Sequence, residues 1–200
     1  MAKLYFRYGA MNCGKSTALM QVVHNYHERG LTAMVIKPYT DTKGGNQVVS
    51  RLGISREVDL MVKPEENIVE EVNAWLAENG NIHCILVDEA QFFKAEQIDQ
   101  FFEIAVKQNI PVICYGLRTD FSMRGFEGSE RLLLLAHSLE ELKTICRCGR
   151  KAILNGRKID GKFVFEGEQV VIDGGGHVEY ESLCAHCYFQ LKEEEKERTS

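Results

Sequence analysis

Residues 5–20 read "YFRYGAMNCGKSTALM", and this stretch decides the fold. Within it Gly9, Gly14, Lys15 and Ser16 fit G-x-x-x-x-G-K-[ST]. A short aromatic run precedes the pattern, and a run of helical periodicity follows, ending at Gly30. A strand, a glycine-bearing turn and a helix in that order are the context a phosphate loop requires. The glycines let the backbone turn tightly, so that successive N–H groups point at phosphate oxygens. Lys15 supplies a cation for the β- and γ-phosphates, Ser16 a hydroxyl for Mg²⁺, and the helix aims its positive end at the same place.

Outward from the loop, "LTAMVIKP" (31–38), "IHCILVD" (82–88) and "IPVICYGL" (110–117) are apolar without alternation, as buried strands are. Between them lie amphipathic segments. In "PEENIVEEVNAWLAENG" (64–80), Pro and two acids mark a helix start, and Ile68, Val69, Val72 and Leu76 share a face. In "KAEQIDQFFEIAVKQN" (94–109), Ile98, Phe101, Phe102 and Ala105 point inward. "SREVDLMV" (55–62) reads as a further strand, and "YTDTKGGNQVVSRLG" (39–53) as a mobile polar loop. The expected fold is α/β: a parallel sheet with helices on both faces over residues 1–142.

From about residue 143 the texture changes. Asn-Gly, Asp-Gly and triple-Gly turns separate short β-prone runs, the signature of a small β module over residues 143–190. The charged segment 191–200, "LKEEEKERTS", reads as a frayed helix or a disordered tail. The chain has seven cysteines, and an odd count does not suit a disulfide framework. Cys146 and Cys148 form C-x-C and Cys184 and Cys187 form C-x-x-C; four such thiolates suit a structural zinc site better than free core thiols or a redox pair. Cys13 lies in the phosphate loop, where only its backbone is required, and Cys84 and Cys114 read as small core residues. A net charge of −5 and the lack of a basic, aromatic face argue against a nucleic-acid surface. No apolar run reaches membrane-spanning length, and the N-terminus lacks the long apolar region of a secretion signal, so the expected location is cytoplasmic.

In "CILVDEAQFF" (84–93), a buried strand ends in two adjacent carboxylates. Asp88 at the strand tip fits the metal-holding acid of P-loop enzymes. Glu89 could activate a water, making an ATPase, or the hydroxyl of a second substrate, making a kinase. The local chemistry does not separate the two.

"GAMNCGKSTALM", "VDEAQFF", "CYGLRTDF", "LKTICRCGRKA" and "YESLCAHCYF", in this order and spacing over residues 3–190, resemble the thymidine kinases of the cellular type-II class, bacterial branch. The resemblance implies a P-loop domain carrying a zinc-held lasso domain. The implied activity is ATP-dependent phosphorylation of the 5′-hydroxyl of thymidine or deoxyuridine to give dTMP, a salvage step for DNA synthesis. Glu89 becomes the general base. Gly9, Ala10, Met11, Asn12, Cys13, Gly14, Lys15, Ser16, Thr17, Asp88 and Gln91 bind ATP, with Ser16 and Asp88 on Mg²⁺. Met11, Leu117, Phe121, Phe126, Val171, Ile172, Gly174 and Tyr180 surround the nucleoside. Arg51 approaches the phosphates, and Cys146, Cys148, Cys184 and Cys187 hold Zn²⁺. The resemblance also implies a homotetramer and inhibition by dTTP; charge and hydropathy, as above, point to no nucleic-acid or membrane partner. Much of the family opens its zinc site with C-x-x-C, whereas this chain has the tighter C-x-C.

Overall fold

The computed structural model describes residues 1–39, 45–50, 53, 55–169 and 177–199. The chain opens with β1 (Leu4–Tyr8), which runs straight into the phosphate loop and α1 (Lys15–His27). Within the loop, Asn12 and Gly14 take φ of 66° and 84°, the left-handed turn that starts α1 without a side-chain cap. α1 lays Leu19, Met20 and Val23 on the sheet. β2 (Ala33–Pro38) follows and is buried along its whole length.

The single strand expected over 55–62 is two. β3 (Gln47–Val49) pairs antiparallel with β4 (Ser55–Glu57) outside the main sheet, and β5 (Leu60–Val62) joins the edge of β2. Asp59 makes the break: its carboxylate accepts the Val35 N–H at 2.7 Å while its own N–H donates to Val35 O. The helix start expected at Pro64 also moves. α2 (Ile68–Asn79) begins at Asn67, whose side chain accepts from the N–H groups of Val69 and Glu70. The preceding Pro and acids form a turn closed by the Glu66 N–H to Lys63 O. An Asn side chain satisfies two orphan helix N–H groups, which Pro and Glu at those positions do not.

β6 (Cys84–Val87) is fully buried and leads to a single 3₁₀ turn, Ala90–Phe92. α3 (Ala95–Glu103) continues as a π-helical turn, Ile104–Gln108. Its Ile98, Phe101, Ile104 and Ala105 are buried, and the half-buried Phe102 stacks on His137. After β7 (Val112–Gly116) come α4 (Glu127–Leu135) and β8 (Ser138–Glu141), two elements absent from the sequence reading. The six-stranded sheet has the order β5-β2-β6-β7-β1-β8 and every pairing in it is parallel. Strand alternation sorts the core into two. Met34, Ile36, Ile85 and Val87 face α2 and α3, while Val35 and Leu86 face α1.

A smaller core lies beyond. β9 (Thr144–Ile145) and β10 (Lys151–Ala152) form one hairpin, and β11 (Leu154–Ile159), β12 (Lys162–Val164) and β13 (Val178–Leu183) form a three-stranded antiparallel sheet. Asp160 and Gly161, with φ of 50° and 78°, make the tight turn expected of Asp-Gly. Asn155-Gly156 does not turn the chain: both residues sit inside β11. A Cβ on Gly156 would lie 2.7 Å from both Leu183 Cδ1 and Phe163 Cε1, so the glycine admits those side chains instead of bending the strand. α5 (Ala185–Thr199) closes this core with Tyr188 and continues as helix through the charged segment, the helical one of the two readings its composition allows. Among the described residues no helix is long and apolar enough to cross a membrane.

Candidate active site and metal centre

Parallel strands deliver their C-terminal ends to one edge of the sheet, where ligands of open α/β folds bind. Here that edge carries the phosphate loop after β1, Asp88 and Glu89 after β6, and Leu117 after β7. β7 separates the strand of the loop from the strand of the acids.

The loop is tightly wound. The Gly9 N–H donates to Gly116 O, and a Cβ at Gly9 would fall 2.5 Å from both Leu142 O and Cys13 Sγ. Lys15 Nζ lies 3.2 Å from Ala10 O and 3.8 Å from Cys13 Sγ, folded over the loop it serves. Asp88 is buried at the tip of β6, its N–H donating to Ile36 O.

Glu89 has φ 47° and ψ 43°, a left-handed conformation uncommon for a residue with a side chain. It turns the chain sharply off β6, and its carboxylate is held from the side. Gln91 Nε2 donates to Glu89 Oε2 at 2.5 Å, and Gln91 Oε1 accepts the Leu117 N–H at 3.1 Å. The Leu117 N–H can only donate, so it fixes the amide with the oxygen toward β7 and the –NH₂ toward Glu89. Gln91 is buried, and its side chain connects the two loop ends that carry the acid and Leu117.

Leu117, Phe121 and Phe126 are all buried in the segment between β7 and α4. Phe126 packs edge-on against Phe92 with centroids 5.6 Å apart. The small β module grips this segment. The Arg157 guanidinium sits 3.5 Å from the Phe121 ring centroid, and Tyr188 Oη donates to Phe121 O at 2.8 Å. Arg157, itself buried, also donates to Glu168 O and Glu166 O, and Tyr180 lies opposite it on β13. Arg51, Val171, Ile172 and Gly174 lie outside the described residues.

The four cysteines of the two close pairs converge, with ligand atoms all within 4.8 Å of one another. Cys148 and Cys184 Sγ are 3.6 Å apart. Tetrahedral thiolates at ~2.3 Å from a zinc ion have edges of about 3.8 Å, so the cluster has the size of a four-thiolate site, the C-x-C spacing included. The Cys187 N–H, bonded to Cys184 Sγ at 3.5 Å, pulls the Cys184 thiol down, while the neighbouring thiol of Cys148 pushes Cys187 up. Burial pushes Cys84 up to about 11 and raises Cys114 as well, the behaviour of inert core thiols.

Asn155, Arg157, Ser182 and Tyr188 bear on the site without having been singled out by sequence. They lie in segments of mixed polar and apolar composition, LNGRKI, VEYESL and the start of α5, where nothing in the sequence marks one polar or aromatic residue above its neighbours.

Comparison with known proteins agrees with this arrangement. The family model described as thymidine kinase matches residues 2–188. The thymidine kinase of Mannheimia succiniciproducens is 49% identical over 189 residues, covering 92% of this chain and 93% of its own. That of Vibrio vulnificus is 48% identical over 190 residues, covering 94% of this chain and 97% of its own. The thymidine kinase of the bacteriophage T4 is 45% identical over 193 residues, covering 96% and 97%. The chain belongs to the thymidine kinase family.

Proposed function

We propose that the protein transfers the γ-phosphoryl group of ATP to the 5′-hydroxyl of thymidine, and of deoxyuridine, giving dTMP for DNA synthesis. The observation that carries this reading is the Glu89 carboxylate, turned off the tip of β6 and fixed by Gln91 at the sheet edge that carries the phosphate loop. Phosphoryl transfer asks for positioning and charge neutralisation more than for covalent chemistry. The backbone of Gly9 to Thr17 cradles the phosphates, and Lys15 unfolds from Ala10 O to meet them. Asp88 and the Ser16 hydroxyl are hard oxygen donors and would hold Mg²⁺, which when bound neutralises charge on the β- and γ-phosphates. Glu89 accepts the 5′-hydroxyl proton as the oxygen attacks the γ-phosphorus. Met11, Leu117, Phe121, Phe126 and Tyr180, with Val171, Ile172 and Gly174, enclose the nucleoside and exclude water.

Residues 1–142 form the kinase domain in this reading and 143–190 the lasso domain. Cys146, Cys148, Cys184 and Cys187 would hold a structural Zn²⁺, a role supported by their convergence. The reading extends to a cytoplasmic homotetramer inhibited by dTTP. Family membership supports that assembly.

The test is Glu89→Gln. With thymidine and ATP, kcat for dTMP formation falls by ~10² or more while ATP binding is retained. Turnover near that of the unmodified protein removes Glu89 from the mechanism. DNA-stimulated hydrolysis of ATP without thymidine overturns the kinase reading itself.

A further inference from the structure

The backbone of one phosphate-loop residue is held at both ends by the small β module. The Met11 N–H donates to Asn155 Oδ1 at 2.7 Å, and Ser182 Oγ donates to Met11 O. The second half of the Asn155 amide donates to Thr119 O at 2.9 Å, which fixes its orientation. Asn155 and Ser182 are directly opposed across the β11–β13 ladder, so the two contacts form one clamp. Both side chains are buried, 3% and 6% exposed. Two residues beyond Ser182 is Cys184, one of the four converging thiols.

A phosphate loop does its work through the direction of its N–H groups. The Gly9 N–H is taken by Gly116 O and Lys15 Nζ reaches Ala10 O, whereas both backbone groups of Met11 are held from the small module. Among the described residues, the bonds to its N–H and C=O come from a different core more than 140 residues away in sequence. We propose that Asn155 and Ser182 are positioning residues for the nucleotide site: by gripping both peptide groups of Met11, they set the loop in its phosphate-binding shape. The inference rests on the reading of residues 9–16 as the nucleotide loop. It makes the small module a part of the ATP site as well as of the nucleoside site, and it couples the two through the β11–β13 pair.

The experiment uses the full chain and a non-hydrolysable ATP analogue with Mg²⁺, its Kd read by calorimetry. Ser182→Ala weakens the analogue about three- to tenfold, Asn155→Ala about tenfold, and Ser182→Thr restores the affinity to within about twofold. The double variant loses less than the product of the two single losses, because both side chains hold the same residue. Hydrogen exchange in the peptide containing Met11 speeds up in Ser182→Ala, while elemental zinc content equals that of the unmodified protein. Should Asn155→Ala fail to fold, Ser182→Ala and its exchange rates decide. Unchanged analogue affinity and unchanged exchange at Met11 in Ser182→Ala overturn the clamp. Lys15→Ala separates the underlying reading: if it binds the analogue as well as the unmodified protein does, residues 9–16 are not the nucleotide loop.

Discussion

Replacing Gln91 isolates what holds the Glu89 carboxylate. The 2.5 Å contact between Gln91 Nε2 and Glu89 Oε2 is a hydrogen bond to an ionised acceptor, in a class worth about 1.5–3 kcal/mol. If that bond selects the carboxylate orientation that faces the nucleoside hydroxyl, its loss lowers the reactive population by roughly ten- to a hundredfold, at about 1.4 kcal/mol per tenfold. Gln91→Leu removes this bond and also leaves the buried Leu117 N–H without its acceptor. That orphaned donor costs a further ~1–3 kcal/mol of stability, a fall in Tm of about 2–10 °C for a chain of this size. Gln91→Glu keeps an acceptor for the Leu117 N–H but sets a buried carboxylate against Glu89, so it loses stability through charge repulsion and not through an orphaned donor. The expected result is a kcat lowered about tenfold or more in both variants, with KM for ATP within about twofold, and a lower Tm in both, recovered at acid pH in the glutamate variant alone. The assay is steady-state dTMP formation with each substrate varied in turn, alongside a thermal melt. Gln91 also belongs to the residues read from sequence as binding ATP, and the same data distinguish that role. A raised KM for ATP with kcat unchanged would refute the positioning argument and return Gln91 to the nucleotide.

Two further perturbations test the frame around the site. A Cβ on Gly128 would lie 2.5 Å from Ala90 O and 2.7 Å from Phe93 O. Gly128→Ala therefore pushes α4 off the turn that carries Glu89, costing about 1–3 kcal/mol, and a thermal melt should show Tm lower by roughly 2–10 °C; an unchanged Tm would mean that the helix and turn separate freely. With the proposed zinc on the four cysteines, a chelator or Cys184→Ser should leave fewer than ~0.5 metal ions per chain by elemental analysis and loosen β13. Because Ser182 on β13 holds Met11, the same treatment should weaken ATP-analogue binding severalfold; full affinity in the metal-free chain would break the proposed link between the two centres.

The parallel sheet was legible because buried strands write continuous apolar runs, and "AMVIKP", "CILV" and "VICYG" each became a strand of the six. The glycine-bearing turn of residues 9–14 was legible because its glycines and lysine stand at fixed offsets between β1 and α1. The cysteine cluster was legible from spacing, although 36 residues separate Cys148 from the Cys184 it meets. α4 and β8 are short and half-exposed, so their apolar residues fall into no clean period. Asn155-Gly156 imitates a turn because its two residue types are usually chosen for backbone freedom. Here the asparagine is chosen for its amide, which reaches Met11 and Thr119, and the glycine for the space taken by Phe163 and Leu183. Gln91 was visible as part of "DEAQ", but its partner Leu117 lies 26 residues away, and only the fold brings them together.

Glu89 sits in a backbone conformation that costs of order 1–3 kcal/mol, and such a residue persists only when its surroundings over-determine it. The surroundings are two glycines that need no unusual backbone of their own. A side chain on Gly116 would come within 2.9 Å of Gln91 Oε1, and one on Gly128 would strike the carbonyls of Ala90 and Phe93. β7 and α4 thus press from two sides on the 3₁₀ turn after Glu89, at distances only glycine allows. Ser129 adds a hydrogen bond to Leu117 O, closing the ring of contacts from α4 back to β7. The turn has nowhere to relax, so the strain at Glu89 is retained and its carboxylate is held off the tip of β6. That is the arrangement a general base needs before substrate arrives, because any orientation set in the free protein is not a cost during the reaction. The glycines, the glutamine and the strained acid therefore form one device, although only the acid would touch the nucleoside.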